Sequence, residues 1–122
     1  MTTGTHRDLT AWQEAMDLAV AVYEKTAEFP REERYGLTSQ MRRSARSVPA
    51  LIAEGAARNS TREMYQYLGW ATGSVAELET DFELAIRLRY LPRDVEVFQQ
   101  ARRVGRLVNA LRNSYGKKLD EE

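Results

Sequence analysis

Four carboxylates stand at alternate positions in one stretch of the chain: Glu77, Glu79, Asp81 and Glu83. Paired carboxylates can hold a divalent cation for metal-assisted hydrolysis, as in some all-helical nucleotide pyrophosphatases, with Glu14 and Asp17 as further contributors. The spacing argues against that chemistry. On a helix, Glu79 and Glu83 fall roughly opposite Glu77 and Asp81, so the four cannot converge. The chain has no cysteine and a single histidine, His6. That excludes disulfides, thiolate metal sites and cysteine catalysis, and it denies a di-iron bundle its two Glu-x-x-His motifs. It also argues against an Arg/His helical ribonuclease, and His6, ahead of the first helix, is expected to be solvated. Glu54 is read as a partner for Arg58 one turn on, or for an arginine of another helix, because no second convergent group can be named. The expectation is therefore no catalytic residue, no metal and no cofactor, with a metal-dependent hydrolase as a remote alternative.

Arginine is the other chemistry-bearing residue type. Arg42, Arg43 and Arg46, with Arg58 and Arg62 beyond, form one basic group; Arg102, Arg103 and Arg106 form a second. Their guanidinium forks suit phosphate and carboxylate equally. One reading has them contact nucleic-acid phosphates without reading bases. The other has them pair with Glu77, Asp81 or Glu83 within or between subunits. Charge is segregated: residues 1–36 carry net −3, residues 37–62 net +4, residues 63–91 net −3 and residues 92–122 net +2, for a total of zero. A neutral total is unusual for a dedicated polyanion binder.

The elements that position these residues are helices. Trp12, Ala15, Ala19, Val22, Thr26 and Phe29 alternate by three and four and predict a helix over about residues 10–28, opened by a Thr10…Gln13 capping box and closed by Pro30. Met41, Ala45, Val48 and Ile52 predict a second over about 38–57, capped by Thr38 or Ser39. Pro49 lies inside it and predicts a kink held by packing. Ser60…Glu63 is a further capping box. It opens a helix over about 61–89 with the stripe Met64, Leu68, Ala71, Val75, Leu78, Phe82 and Ala85, a 3.5-residue repeat suited to left-handed bundles. Gly69 and Gly73 would each weaken an isolated helix by about 1 kcal/mol, so close backbone approach is the expected reason for them. Val97, Ala101, Val104, Val108, Leu111 and Tyr115 predict a fourth helix over about 93–115, ending near Gly116, with 117–122 as a frayed tail. Tyr67, Trp70 and Ser74 run beside the third stripe and, with Leu51, are the candidate subunit contact. The fold class is all-α, an antiparallel up-down-up-down four-helix bundle forming one domain over residues 1–122. No apolar run approaches the roughly 18 residues of a membrane span, and the N-terminus lacks a signal-peptide core, so the expected location is the cytoplasm.

These residues resemble the small four-helix-bundle proteins encoded within intervening sequences of bacterial 23S ribosomal RNA genes. The resemblance is carried by Arg7-Asp8-Leu9 and Trp12, Phe29-Pro30, Tyr35-Gly36-Leu37, Gln40-Met41-Arg42-Arg43, Ser47-Val48-Pro49, Ile52-Ala53-Glu54-Gly55 and Arg58. It continues in Gly73-Ser74, Glu77-Leu78-Glu79, Leu88 and Tyr90-Leu91. It implies a bundle that assembles into a homopentameric ring, and kinship with the accessory variability protein of diversity-generating retroelements, a pentamer that binds nucleic acid. It implies no enzymatic activity. Leu51 stands where the motif usually has asparagine, Arg46 where it has an aliphatic residue and Thr72 where it has arginine. The expected function is a non-catalytic homo-oligomeric scaffold that binds RNA or DNA through Arg42, Arg43, Arg46, Arg58, Arg102, Arg103 and Arg106; the alternative is a scaffold for a protein partner alone. Pro49, Glu54, Gly55, Gly69 and Gly73 are assigned structural roles.

Overall fold

Apolar residues at helical spacing produce four helices: α1 (Thr10–Thr26), α2 (Leu37–Ala57), α3 (Thr61–Arg87) and α4 (Glu96–Glu121). The structure is a computed structural model that describes residues 5–122, and it shows no strand among them. Every residue of the predicted α2 and α3 stripes is buried, as are Val97, Ala101, Val104 and Val108 of α4. On α1 the buried face is wider than predicted, adding Ala11 and Leu18, while Trp12 is only half-buried. No helix among the described residues is long and apolar enough to cross a membrane.

Contacts between neighbouring helices run in opposite chain order. Gly55 meets Met64 and Tyr67, Ser47 meets Ser74 and Ser44 meets Glu77, so α2 and α3 are antiparallel. Gly116 meets Tyr65, Gly105 meets Val75, and Phe98 stacks on Phe82 at 5.6 Å between centroids, so α3 and α4 are antiparallel too. α1 packs on both α2 and α4 and closes the bundle. α2 continues through Pro49, which is buried within it.

The helix ends depart from expectation. Thr10 does not cap α1. The capping box lies upstream, where Thr5 and Asp8 enclose a 3-10 turn (His6–Asp8), and the Gln13 amide instead donates to the Arg7 carbonyl at 2.8 Å. Neither Thr38 nor Ser39 caps α2, whose N-cap is Gly36. The Leu37 N–H is met by Glu33 Oε1 at 3.2 Å, from a second 3-10 turn (Arg31–Glu33). Of the expected Ser60…Glu63 box only one half forms: the Ser60 hydroxyl accepts from Glu63 N–H, and the Glu63 side chain does not reach back. α4 does not stop at Gly116, because Leu111, Tyr115 and Leu119 continue its half-buried stripe to Glu121. Gly116 serves packing instead: a Cβ there would lie 3.0 Å from the Tyr65 ring.

α3 ends at Arg87 in a Schellman turn. Tyr90 N–H donates to the Ala85 carbonyl and Arg89 N–H to that of Ile86, with Arg89 at φ 68°. This turn delivers Tyr90 to Phe29, at 5.3 Å between centroids, and its hydroxyl to Glu33 Oε2 at 2.8 Å. One carboxylate thus ties the start of α2 to the turn between α3 and α4.

Candidate assembly and nucleic-acid surfaces

α3 turns Tyr67, Trp70 and Ser74 toward its α2 flank. Tyr67 and Trp70 meet edge to face, 4.9 Å between centroids, and Trp70 remains 51% exposed. Arg58 fastens the other side of this pair, donating to the Tyr67 hydroxyl at 2.9 Å. Ser74 is spent in the seam, hydroxyl to hydroxyl with Ser47 at 2.7 Å, and Leu51 lies half-buried against the core. Close approach of α2 to α3 depends on Gly55, whose hypothetical Cβ would sit 2.8 Å from both Met64 Sδ and Tyr67 Cβ. Gly69 admits the Arg112 guanidinium, but Gly73 faces open space, so close approach within the subunit does not explain it.

Further along the seam, buried Ser44 donates to Glu77 Oε1 at 2.6 Å. Asp81, one turn on, has a buried Oδ2 with no partner, and burial together with the Glu77 charge holds its carboxyl above the usual range. Spacing placed Glu77 and Asp81 on one flank; nothing in the sequence signalled that Ser44 would occupy Glu77.

The arginines divide into two sets. Arg42 is tied to α1, donating to Thr26 Oγ1 at 2.9 Å and the Tyr23 carbonyl at 3.1 Å, and lying over the Tyr23 ring. Arg103 grips Glu14 with two hydrogen bonds, which pull the Glu14 carboxyl below its ordinary range. Arg58 pairs with Tyr67 and weakly with Glu63, at 3.9 Å, not with Glu54. Within the subunit, none of the predicted arginines pairs with Glu77, Asp81 or Glu83. Glu83 is instead clamped by Arg93 and Arg87, whose hydrogen bonds push its carboxyl down to about 2. Arg43, Arg46, Arg102 and Arg106 are exposed and make no ion pair among the described residues; Arg102 lies over Phe98. No group of three or more His, Asp or Glu side chains among the described residues is arranged to hold a metal ion. His6 is half-buried, its ring edge-on to Trp12 at 5.1 Å, rather than solvated.

The sequence profile of the 23S rRNA-intervening sequence proteins matches residues 7–110. The chain belongs to that family. A crystal structure of a protein with unknown function from the S23 ribosomal protein family of Bacteroides thetaiotaomicron VPI-5482 superposes with a TM-score of 0.69. The two sequences are 23% identical, and the match covers 86% of this chain and 96% of that one. At that identity the likeness shows the fold alone. No curated protein matches the sequence.

Within this 23S rRNA-intervening sequence protein, several of the motif residues that carried the resemblance meet in space. Phe29, Gly36, Leu37 and Tyr90 meet at the Glu33 latch, and Leu91 is buried beside it in chain order. Gly55 sets the α2–α3 distance at the opposite end. These roles are architectural; Arg43 and Arg46 of α2, Arg102 and Arg106 of α4, and Trp70 are among the residues left exposed.

Proposed function

We propose that this family member is a non-catalytic, cytoplasmic homopentameric scaffold that binds RNA or DNA through exposed arginines. The observation that carries the reading is Trp70, half-exposed on a flank already stiffened by Tyr67 and Arg58, as an aromatic subunit anchor would be. A second exposed stripe, Met16, Val20 and Tyr23, runs along α1. Two unlike patches on one subunit fit head-to-tail association, which closes into a ring, better than a two-fold pair. A ring would repeat Arg43 and Arg46 around its surface, compensating for the neutral net charge of each subunit.

Light scattering tests assembly. The wild type should be pentameric, and Trp70→Glu should dissociate it before unfolding it, because a buried unpaired charge is strongly unfavourable. A wild-type monomer or an unchanged variant refutes the contact. Fluorescence anisotropy of labelled RNA and DNA across salt concentrations tests the ligand. About five phosphate contacts give a slope of log affinity against log salt near −4, which Arg43→Gln with Arg46→Gln should flatten. No binding at low salt defeats this reading in favour of a protein-only scaffold, for which the internal engagement of Arg42, Arg58 and Arg103 speaks.

A further inference from the structure

Where α1 ends and α2 begins, a cavity of about 290 Å³ is lined by Arg31, Arg34, Arg42, Thr26 and Thr38, with Phe29 among its apolar walls. We infer that this cavity binds a phosphate group, either free or as a monoester. The inference is independent of the assembly and of Arg43 and Arg46.

Three arginines line the space and no acidic residue does. Glu33, nearby in the chain, is occupied by Leu37 N–H and the Tyr90 hydroxyl and does not line it. Arg42 is already ordered by Thr26, the Tyr23 carbonyl and the Tyr23 ring. Two of its five N–H donors are used there, which leaves three, and the entropy of fixing the side chain is spent on folding rather than on binding. The helix ends leave the anion to the arginines. The C-terminal carbonyls of α1 would repel one, but Arg42 covers that of Tyr23. At the start of α2 the Leu37 N–H is already taken by Glu33 Oε1, so that helix end adds nothing and the arginines carry the binding. A guanidinium binds phosphate oxygens bidentately, and three positive charges exceed what a single carboxylate needs.

Titration calorimetry of the full chain with inorganic phosphate, AMP and adenosine at matched ionic strength tests this. Phosphate and AMP should bind and adenosine should not. Tighter binding of AMP than of phosphate would identify a monoester as the ligand, and equal binding would identify the free anion. Arg31→Gln and Arg34→Gln, both at exposed positions, should keep the helical circular dichroism and each weaken binding by about tenfold or more, the loss expected for a charge-assisted hydrogen bond. Absence of heat with both phosphate and AMP, adenosine binding as well as AMP, or unchanged affinity in both variants would overturn the inference.

Discussion

Replacing Gly55 and Gly73 with alanine should move stability in opposite directions. Each sits inside a long helix, where alanine is preferred by about 1 kcal/mol. At Gly73 a Cβ meets nothing within 4 Å, so Gly73→Ala should realise most of that gain. At Gly55 the new Cβ would lie 2.8 Å from Met64 Sδ and from Tyr67 Cβ. The thioether can swing aside, but Tyr67 Cβ is fixed to the α3 backbone, so α2 and α3 must separate by roughly 1 Å to restore van der Waals contact. Overpacking of this kind costs about 1–3 kcal/mol, which outweighs the helical gain and leaves Gly55→Ala destabilised by roughly 1 kcal/mol. Urea unfolding followed by far-ultraviolet circular dichroism, at one fixed protomer concentration, measures both changes. Equal stabilisation by the two substitutions would refute the claim that α2–α3 contact demands Gly55. Loss of assembly in Gly73→Ala would show that the open space beside Gly73 is filled by another subunit.

Asp81→Asn should raise stability at neutral pH. The Asp81 carboxyl is raised above its ordinary 3.8 in the folded state, so its contribution falls as pH rises through that higher value; the gain should vanish near pH 4 in urea midpoints, and a neutral-pH loss would refute the account. Glu83 behaves oppositely: held at about 2 by Arg93 and Arg87, it contributes above its ordinary 4.5 and loses that contribution as pH falls toward 2. Arg93→Gln should bring the Glu83 carboxyl back toward the usual range in an NMR titration. Arg89→Gly relieves a left-handed backbone at φ 68° and should stabilise by about 1 kcal/mol in thermal melts; an unchanged or lower midpoint would contradict it.

The helical stripes were legible because burial repeats with the period of the helix itself. Met41, Ala45, Val48 and Ile52 need no tertiary information to be recognised as one face, and all four are fully buried. Helix ends were less legible because the competing partners lie outside the helix. Glu33 reaches forward from a separate turn to serve Leu37, displacing the local candidates Thr38 and Ser39. Arginine partners were the least legible. Arg103 and Glu14 are 89 positions apart and meet only once α4 lies beside α1. For Arg42 the sequence offered phosphate or a carboxylate, whereas α1 supplies a terminal carbonyl and a tyrosine face. The flank position of Tyr67 and Trp70 beside the core stripe was legible, but their edge-to-face contact with each other was not.

The Glu33 latch makes the two ends of the bundle mechanically unequal. At one end a single carboxylate rivets the α2 start to the α3–α4 turn, and Phe29 braces Tyr90. The other end carries an open cleft of about 630 Å³ among His6, Asn59, Ser60, Tyr115 and Lys118. Helices part first where fewer groups hold them, so amide protons around residues 58–64 and 114–121 should exchange with solvent before those around 34–40 and 85–91. Exchange in that order would give the molecule a direction of unzipping, from the turn between α2 and α3 toward the latch.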